Sequence, residues 1–371
     1  MAPGMLYVTM KPAESLPADQ FHDWYNDEYG PMRLRLPFIK NGFRYRATDQ
    51  AKDLPEWLTI YDIADMDEMV KQPYIGLRQP PPEPTREGHH EASHYSQTSA
   101  IESYITTTDG VSHPYRLEGS SDPQDPLIVL SNSILVDYNI WDGFVSAFLS
   151  ENKKYRIVRY LTRGRLDACG DQPITVDLLA SDIIDILDAL RVPKAAAVIG
   201  LSLGDATTLN VALNHPSRVA SIISCDTSAK SPAGNSKAWG ERIELARAEN
   251  AGGVVSKNLA EITTRRWLVA ENYQQSAETF EFVKQMVASN SLIGFEKSVQ
   301  ALYNYDMTPL LENNRVRAAF FVGAQDGALP TSMKNLAASV GEFVEIDGAG
   351  HLPMVERPAQ FAQEVSKFLS I

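Results

Sequence analysis

At 371 residues, 44% of them hydrophobic, the chain is long enough for two domains, each with its own buried core. Its formal net charge of -13 and pI near 5.1 exclude the basic surface that nucleic acid or an anionic membrane requires. Two cysteines, Cys169 and Cys225, are too few for a disulfide framework and wrongly spaced for a zinc knuckle, so a reducing, cytoplasmic setting is expected.

Met1 to Met10 lacks the basic start and apolar core of a signal peptide, and no apolar run approaches the roughly 20 residues that span a bilayer. Residues 4–11 are instead β-prone, and Pro17-Ala18-Asp19 then marks a helix start. Phe21, Trp24, Tyr25 and Glu28 fall at helical spacing with the aromatics on one face, and Pro31 limits the helix. Strands are expected over 42–47, 57–63 and 101–106, with a short helix over 66–70. That order is the ferredoxin-like split βαβ arrangement, an α+β domain over residues 1–108. His89, His90, Glu91 and His94 follow a proline-rich stretch and have the residue types of a metal site, but no ligand spacing completes one; a solvated loop is expected. A linker is expected over 107–112, where Asp109-Gly110 breaks the pattern.

Phe21-His22-Asp23-Trp24-Tyr25-Asn26-Asp27-Glu28-Tyr29-Gly30-Pro31, with Arg44-Tyr45-Arg46, resembles the EthD-like dimeric α+β barrel family over about the first hundred residues. The resemblance implies two sheets packed face to face across a homodimer, and an association with aromatic or polyketide substrates. This chain has Gly30 where a histidine often precedes the proline of that pattern.

From Tyr115 the rhythm changes to alternating strands and helices. Apolar runs at 126–130, 155–160, 195–199 and 220–224 predict a parallel sheet buried on both faces. Leu178, Leu179, Ile183, Ile186, Leu187 and Leu190 form one helical stripe between them. Residues 113–371 therefore read as an α/β domain.

Within it, Gly200-Leu201-Ser202-Leu203-Gly204 directly follows a strand and opens a helix, the pattern of a nucleophile elbow. A serine hydroxyl needs a histidine base and an orienting carboxylate. Asp326 follows the strand-like Ala319 to Val322, and His351 stands in the glycine-rich loop after Phe343 to Ile346. The order Ser202, Asp326, His351 is that of the α/β-hydrolase fold. Asp226 is the alternative acid, and His215 reads as a surface residue at a helix end. The oxyanion-hole N–H groups are assigned to Leu203 and Ile134. Asp205, in the first turn of the helix, reads as an ionised carboxylate favoured by the helix dipole.

These pieces, with Ser131-Asn132-Ser133, Trp141-Asp142, Tyr160-Leu161-Thr162-Arg163-Gly164, Trp239 and Arg242-Ile243, resemble 3-oxoadipate enol-lactonases and their α/β-hydrolase relatives from about residue 113 onward. Asp205 replaces a usual glycine, Ile134-Leu135-Val136 stands where those lactonases have a glycine, and Arg165 replaces a frequent histidine. The segment 227–304 is expected to form a helical cap, with Trp239, Arg242, Trp267 and Tyr303 as substrate-pocket candidates.

The expected function is hydrolysis of a lactone or activated ester through an acyl-enzyme on Ser202, with no cofactor and no metal. The resemblance implies enol-lactone-like chemistry, and the N-terminal domain suggests an aromatic or polyketide-derived small molecule. Two alternatives stay open: the same three residues used for carbon–carbon bond hydrolysis, cyclisation or elimination, and the N-terminal domain as the catalytic or ligand-binding module.

Overall fold

The computed structural model describes residues 4–10, 33, 36, 38–46, 57–64, 100–167, 169–248 and 252–370. The chain divides into two compact units, Met1–Gly119 and Ser120–Ile371.

In the first unit, β1 (Gly4–Met10), β2 (Ile39–Arg46), β3 (Trp57–Ile63), β4 (Ile101–Thr106) and β5 (Ser112–Gly119) pair antiparallel in the order β1-β3-β2-β4-β5. Along β3, Trp57, Thr59, Tyr61 and Ile63 are buried on one face, as the two-residue strand period requires. Tyr61 and Ile63 join Leu36, Phe38, Ile39 and Tyr104 in a core against which Leu6, Val8 and Met10 pack. The expected helices over 17–31 and 66–70 and the histidine-bearing loop lie outside the described residues.

Two features differ from the sequence reading. A ferredoxin-like sheet would place its first strand beside its last, whereas Asn41–Arg44 of β2 pair with Glu102–Ile105 of β4, and among the described residues β1 neighbours β3 alone. The expected linker at 107–112 is a hairpin turn. Thr107 N–H donates to the Val111 carbonyl at 2.9 Å, the Thr107 hydroxyl donates to Asp109 Oδ1 at 2.6 Å, and Gly110 takes φ 86°. Asp-Gly is as strong a signal for a tight turn between paired strands as for a break between domains, and here the pairing of β5 with β4 decides it. The division between units therefore falls after Gly119.

The second unit is built on β6 (Leu127–Ser131), β7 (Arg156–Tyr160), β8 (Ala197–Leu201), β9 (Ser221–Cys225), β10 (Arg317–Gly323) and β11 (Glu342–Ile346), in the order β7-β6-β8-β9-β10-β11. Every pairing among them is parallel. The strands β6 to β9 are buried at every position, which is why they read as unbroken apolar runs. Helices α1 (Asp142–Glu151), α2 (Val176–Ala189) and α3 (Leu203–Asn214) follow the first strands. On α2, Leu179, Ile183, Ile186 and Leu187 of the expected stripe are buried, and the Thr175 side chain caps its start by accepting from Leu178 N–H.

Between 227 and 304 the described residues form helices α4 (Asn235–Ala248), α5 (Lys257–Trp267), α6 (Ala270–Gln275), α7 (Ala277–Ala288) and α8 (Leu292–Ser298), the helical character expected of that segment. The chain then closes with α9 (Leu329–Val340), α10 (Pro353–Glu356) and α11 (Pro358–Leu369). Among the described residues, no helix is long and apolar enough to cross a membrane.

Only Ser202 separates β8 from α3, so the helix doubles back tightly over the strand. A Cβ on Gly200 would lie 2.1 Å from the Gly204 carbonyl oxygen, and one on Gly204 would lie 2.2 Å from the Ser131 carbonyl oxygen. Both obstacles are backbone, which cannot swing aside. Gly204→Ala is expected to cost about 3 kcal/mol, the upper end of over-packing penalties, or to prevent soluble expression. Thermal unfolding of the variant beside wild type checks this; an unchanged midpoint would mean that the close approach is absent.

Candidate active site

Four residues with the chemistry of interest follow the C-terminal ends of four neighbouring strands: Ser202 after β8, Asp226 after β9, Asp326 after β10 and His351 after β11. That edge of a parallel α/β sheet is where ligands bind, because loops leaving adjacent strands converge there. Ser202 has φ 56° and ψ -110°, a left-handed geometry costing a non-glycine residue on the order of 1–3 kcal/mol. Its N–H donates to the Cys225 carbonyl at 2.9 Å, which helps hold the turn.

His351 and Asp326 are brought together as the sequence reading anticipates: Nδ1 lies 2.6 Å from Asp326 Oδ2. With Nδ1–H facing the carboxylate, the neutral imidazole leaves Nε2 free to accept a proton. Their side chains are 12% and 17% exposed, so the pair is largely shielded from water yet reachable. Burial alone would raise the Asp326 pKa, but the adjacent His351, the Asp226 carboxyl and the Arg266 guanidinium together hold it below the ordinary carboxylate range.

The loops carrying this pair are stitched to each other and to the cap. Gln325 N–H donates to the Ala349 carbonyl at 2.9 Å, and His351 N–H donates to the Trp267 carbonyl at 2.8 Å. The Trp267 ring stacks on the imidazole with centroids 5.7 Å apart. Trp267, expected to line the pocket, thus packs on His351 itself. Glu356 completes the arrangement and was not legible in the sequence. Its Oε2 accepts from Gly350 N–H at 2.7 Å, and its Oε1 accepts from Val269 N–H at 2.8 Å and from Asn272 Nδ2 at 2.6 Å. The histidine loop is thereby tied to the start of α6 through one buried carboxylate. A glutamate five residues beyond a histidine carries no pattern that separates it from a surface residue.

Ile134 and Leu203, the residues assigned to the oxyanion hole, line one cavity together with Ser133, Leu135, Val136 and Arg165. Asn132 fixes the first of these loops: its Nδ2 donates to the Tyr160 carbonyl at 2.7 Å, and its Oδ1 accepts from Trp141 Nε1 at 2.9 Å. The buried Arg163–Asp182 pair, bonded at 2.7 Å through both Nε and Nη2, fixes the loop opposite. Trp239 and Arg242 lie together on α4, the guanidinium carbon 4.5 Å from the indole centroid, and Trp239 meets Phe295 edge-on at 6.2 Å. Tyr303 ends the 3-10 turn Val299–Leu302, where its carbonyl accepts from the Ser231 hydroxyl at 2.9 Å. His215 is the C-cap of α3, at the opposite end of that helix from Ser202.

Asp205 requires a correction. Placed in the first turn of α3, it is fully buried, and desolvation pushes its pKa well above the ordinary value, tempered by the Ser224 hydroxyl. It is therefore held as a neutral acid. The favourable dipole of a helix start is worth at most about 2 kcal/mol, too little to keep a charge at a site without water.

A family model described as the alpha/beta hydrolase family matches residues 136–364, well over half of the chain. The chain belongs to that family, and it is an enzyme of the hydrolase class. Over 262 residues it is 27% identical to 3-oxoadipate enol-lactonase 2 of Acinetobacter baylyi, covering 70% of this chain and 93% of that protein. It is 23% identical over 248 residues to the pimeloyl-[acyl-carrier protein] methyl ester esterase of Edwardsiella ictaluri, covering 65% of this chain and 92% of that one. Among solved structures, the enol-lactonase from Burkholderia xenovorans LB400 superposes with a TM-score of 0.65 at 26% identity, covering 72% of this chain and all of that one, 100%.

The neutral Asp205 sets a pH dependence. In the unfolded chain it ionises at its ordinary value of 3.8, whereas in the folded protein it keeps its proton far above that. Above 3.8 the folded state thus binds the extra proton, and this residue's contribution to stability is lost as pH rises. Asp205→Asn, which cannot ionise, is expected to raise the unfolding temperature at pH 8, to raise it less at pH 5 and to leave it unchanged near pH 3. Thermal scans across that range test the sign; a variant destabilised most at pH 8 would show that Asp205 is charged.

Proposed function

We propose that this protein hydrolyses a lactone or activated ester through a covalent acyl-enzyme on Ser202, with His351 as general base then acid and Asp326 orienting it. The observation that carries the reading is the His351–Asp326 hydrogen bond at 2.6 Å, on the sheet edge that also presents Ser202 in a strained turn. Ser202 Oγ attacks the carbonyl carbon while its proton passes to His351 Nε2. The Nδ1–H bond to Asp326 stabilises the resulting imidazolium. Backbone N–H groups of Ile134 and Leu203 receive the oxyanion. His351 returns the proton to the departing alkoxide or enolate, and water then repeats the sequence in reverse to release the acid.

The surroundings support a substrate with both apolar and polar groups. Ile134, Leu135, Val136 and Leu203 line one side of the cavity next to Ser202, Ser133, Thr162, Arg163, Arg165 and Asn290 line the rest, and the Trp239–Phe295 cluster adds apolar surface. Likeness to the enol-lactonases of Acinetobacter baylyi and Burkholderia xenovorans makes an enol-lactone or a lactone of similar reactivity the first class to assay. For the first unit we propose a role in homodimer formation, as its resemblance to EthD-like proteins implies, supported by the half-buried Leu58 and Ile60 on the face of β3 opposite its core.

Ser202→Ala is expected to lower kcat/KM by at least about a thousandfold with an unchanged circular dichroism spectrum, and to abolish labelling by a fluorophosphonate. Near-normal turnover by pure variant protein would remove Ser202 from the mechanism. Light scattering on the full chain is expected to return the mass of two copies; a monomer would remove the dimer.

A further inference from the structure

Behind the His351–Asp326 pair lies a second acid. Asp226 ends β9 at φ 53°, 1% exposed. Its Oδ1 accepts from Gly323 N–H at 3.0 Å, while its Oδ2 is enclosed and meets no donor. One atom from each of Asp226, Asp326 and His351 falls within 4.8 Å of the others. Two ionised carboxylates that close, shielded from water, repel too strongly to coexist. One proton between them removes that conflict and turns the unpartnered Oδ2 into a donor.

We propose that Asp226 is a positioning residue that works as a carboxylic acid, donating a hydrogen bond from Oδ2 to the Asp326 carboxylate and standing in reserve as His351's orienting acid. The assignment rests on the catalytic roles given above to Ser202, His351 and Asp326. It accounts for the geometry in one stroke: Gly323 N–H fills Oδ1, the proton fills Oδ2, and Asp326 is held from behind while His351 holds it from the front. When Ser202 gives its proton to His351, the Asp226 bond helps Asp326 remain a carboxylate, so the proton stays on the imidazole where the leaving group needs it.

The surrounding charges agree. Burial and the Asp326 charge both push the Asp226 pKa well up, and the Gly323 N–H opposes them; Asp205, neutral in the first turn of α3, adds no charge. The cation on this side is Arg266 of α5, which acts on Asp326. Cys225, one residue before Asp226, has its thiol pushed well up by burial, so it stays protonated.

Two substitutions separate donor from backbone. Asp226→Asn keeps a side-chain N–H donor and tolerates a left-handed φ, whereas Asp226→Gly tolerates that φ but donates nothing. The readout is the pH profile of kcat/KM for p-nitrophenyl acetate with the full-length protein. Asp226→Asn is expected to stay within about threefold of wild type, and Asp226→Gly to fall by roughly ten- to a hundredfold. In Asp226→Gly the acid limb should move to higher pH, because an Asp326 carboxylate freed from its donor stabilises the imidazolium more strongly. A purely structural defect would lower the plateau without moving the limb. Asp326→Asn should retain activity that Asp226→Asn/Asp326→Asn loses by at least about a further tenfold.

Equal profiles for Asp226→Asn and Asp226→Gly would overturn the donor role, and so would a double variant no worse than Asp326→Asn overturn the reserve role. Should Asp226→Gly fail to fold, a loss far beyond threefold in Asp226→Asn still overturns the donor role, and the comparison of Asp326→Asn with the double variant still decides the reserve role. The underlying catalytic reading fails by a different signature: Asp226→Asn crippling the enzyme while Asp326→Asn is mild, or Ser202→Ala retaining activity.

Discussion

The turn at Ser202 is the constraint from which the second unit is arranged. A strand and a helix joined by one residue can pack only if nothing projects between them, so Gly200 and Gly204 are required on either side and the serine takes up the left-handed strain itself. That strain is tolerated because β8 lies in the middle of a sheet buried on both faces, with β6 and β9 paired along it. The same closeness sets Leu203 beside the loop after β6, where Ser131 and Asn132 carbonyls lie against Gly204 and Ile134 shares a cavity with Leu203. Ser202 and the backbones of Leu203 and Ile134 are thus fixed by one local geometry.

The Asp326–His351 pair depends on longer-range stitching. Asp326 and His351 are on loops of little regular structure, and their 2.6 Å contact persists only because several backbone groups anchor those loops to β10, β11 and the cap. Gly323 shows how tight the arrangement is: a Cβ there would lie 1.9 Å from the Gly350 carbonyl oxygen. Glu356 and the Trp267 carbonyl then couple the histidine loop to α5 and α6. Helices α5 and α6 are consequently a support for His351.

Buried acids distinguish this site. Asp205 and Asp226 are both enclosed near the Ser202 turn, both with pKa values pushed upward by burial, while Asp326 alone of the three is held low, by His351, the Asp226 carboxyl and Arg266. A single net negative charge facing His351 suffices to stabilise an imidazolium, and more would be costly to bury. Three carboxyl groups with one charge among them is the arrangement these desolvation costs favour.

The sequence by itself was enough for β1 to β4, for the six strands of the second unit, for the helical character of the segment after β9 and for the chain order of Ser202, Asp326 and His351. Those features are local: a two-residue alternation, an unbroken apolar run, or a glycine-flanked serine can each be read within ten residues. Tertiary structure alone decided the rest. Asp109-Gly110 is compatible with a linker or a hairpin, and only the pairing of β5 with β4 chose between them. Asp205 looks like a helix-start carboxylate until the packing around α3 removes its water, after which its charge is no longer affordable. Trp267 reads as a pocket wall and Glu356 as a surface acid because nothing in the chain announces which side chains will meet 84 residues away, as Asn272 and Glu356 do. Solvation and partners are properties of the folded neighbourhood, and the residues whose roles depend on them are the ones a sequence leaves open.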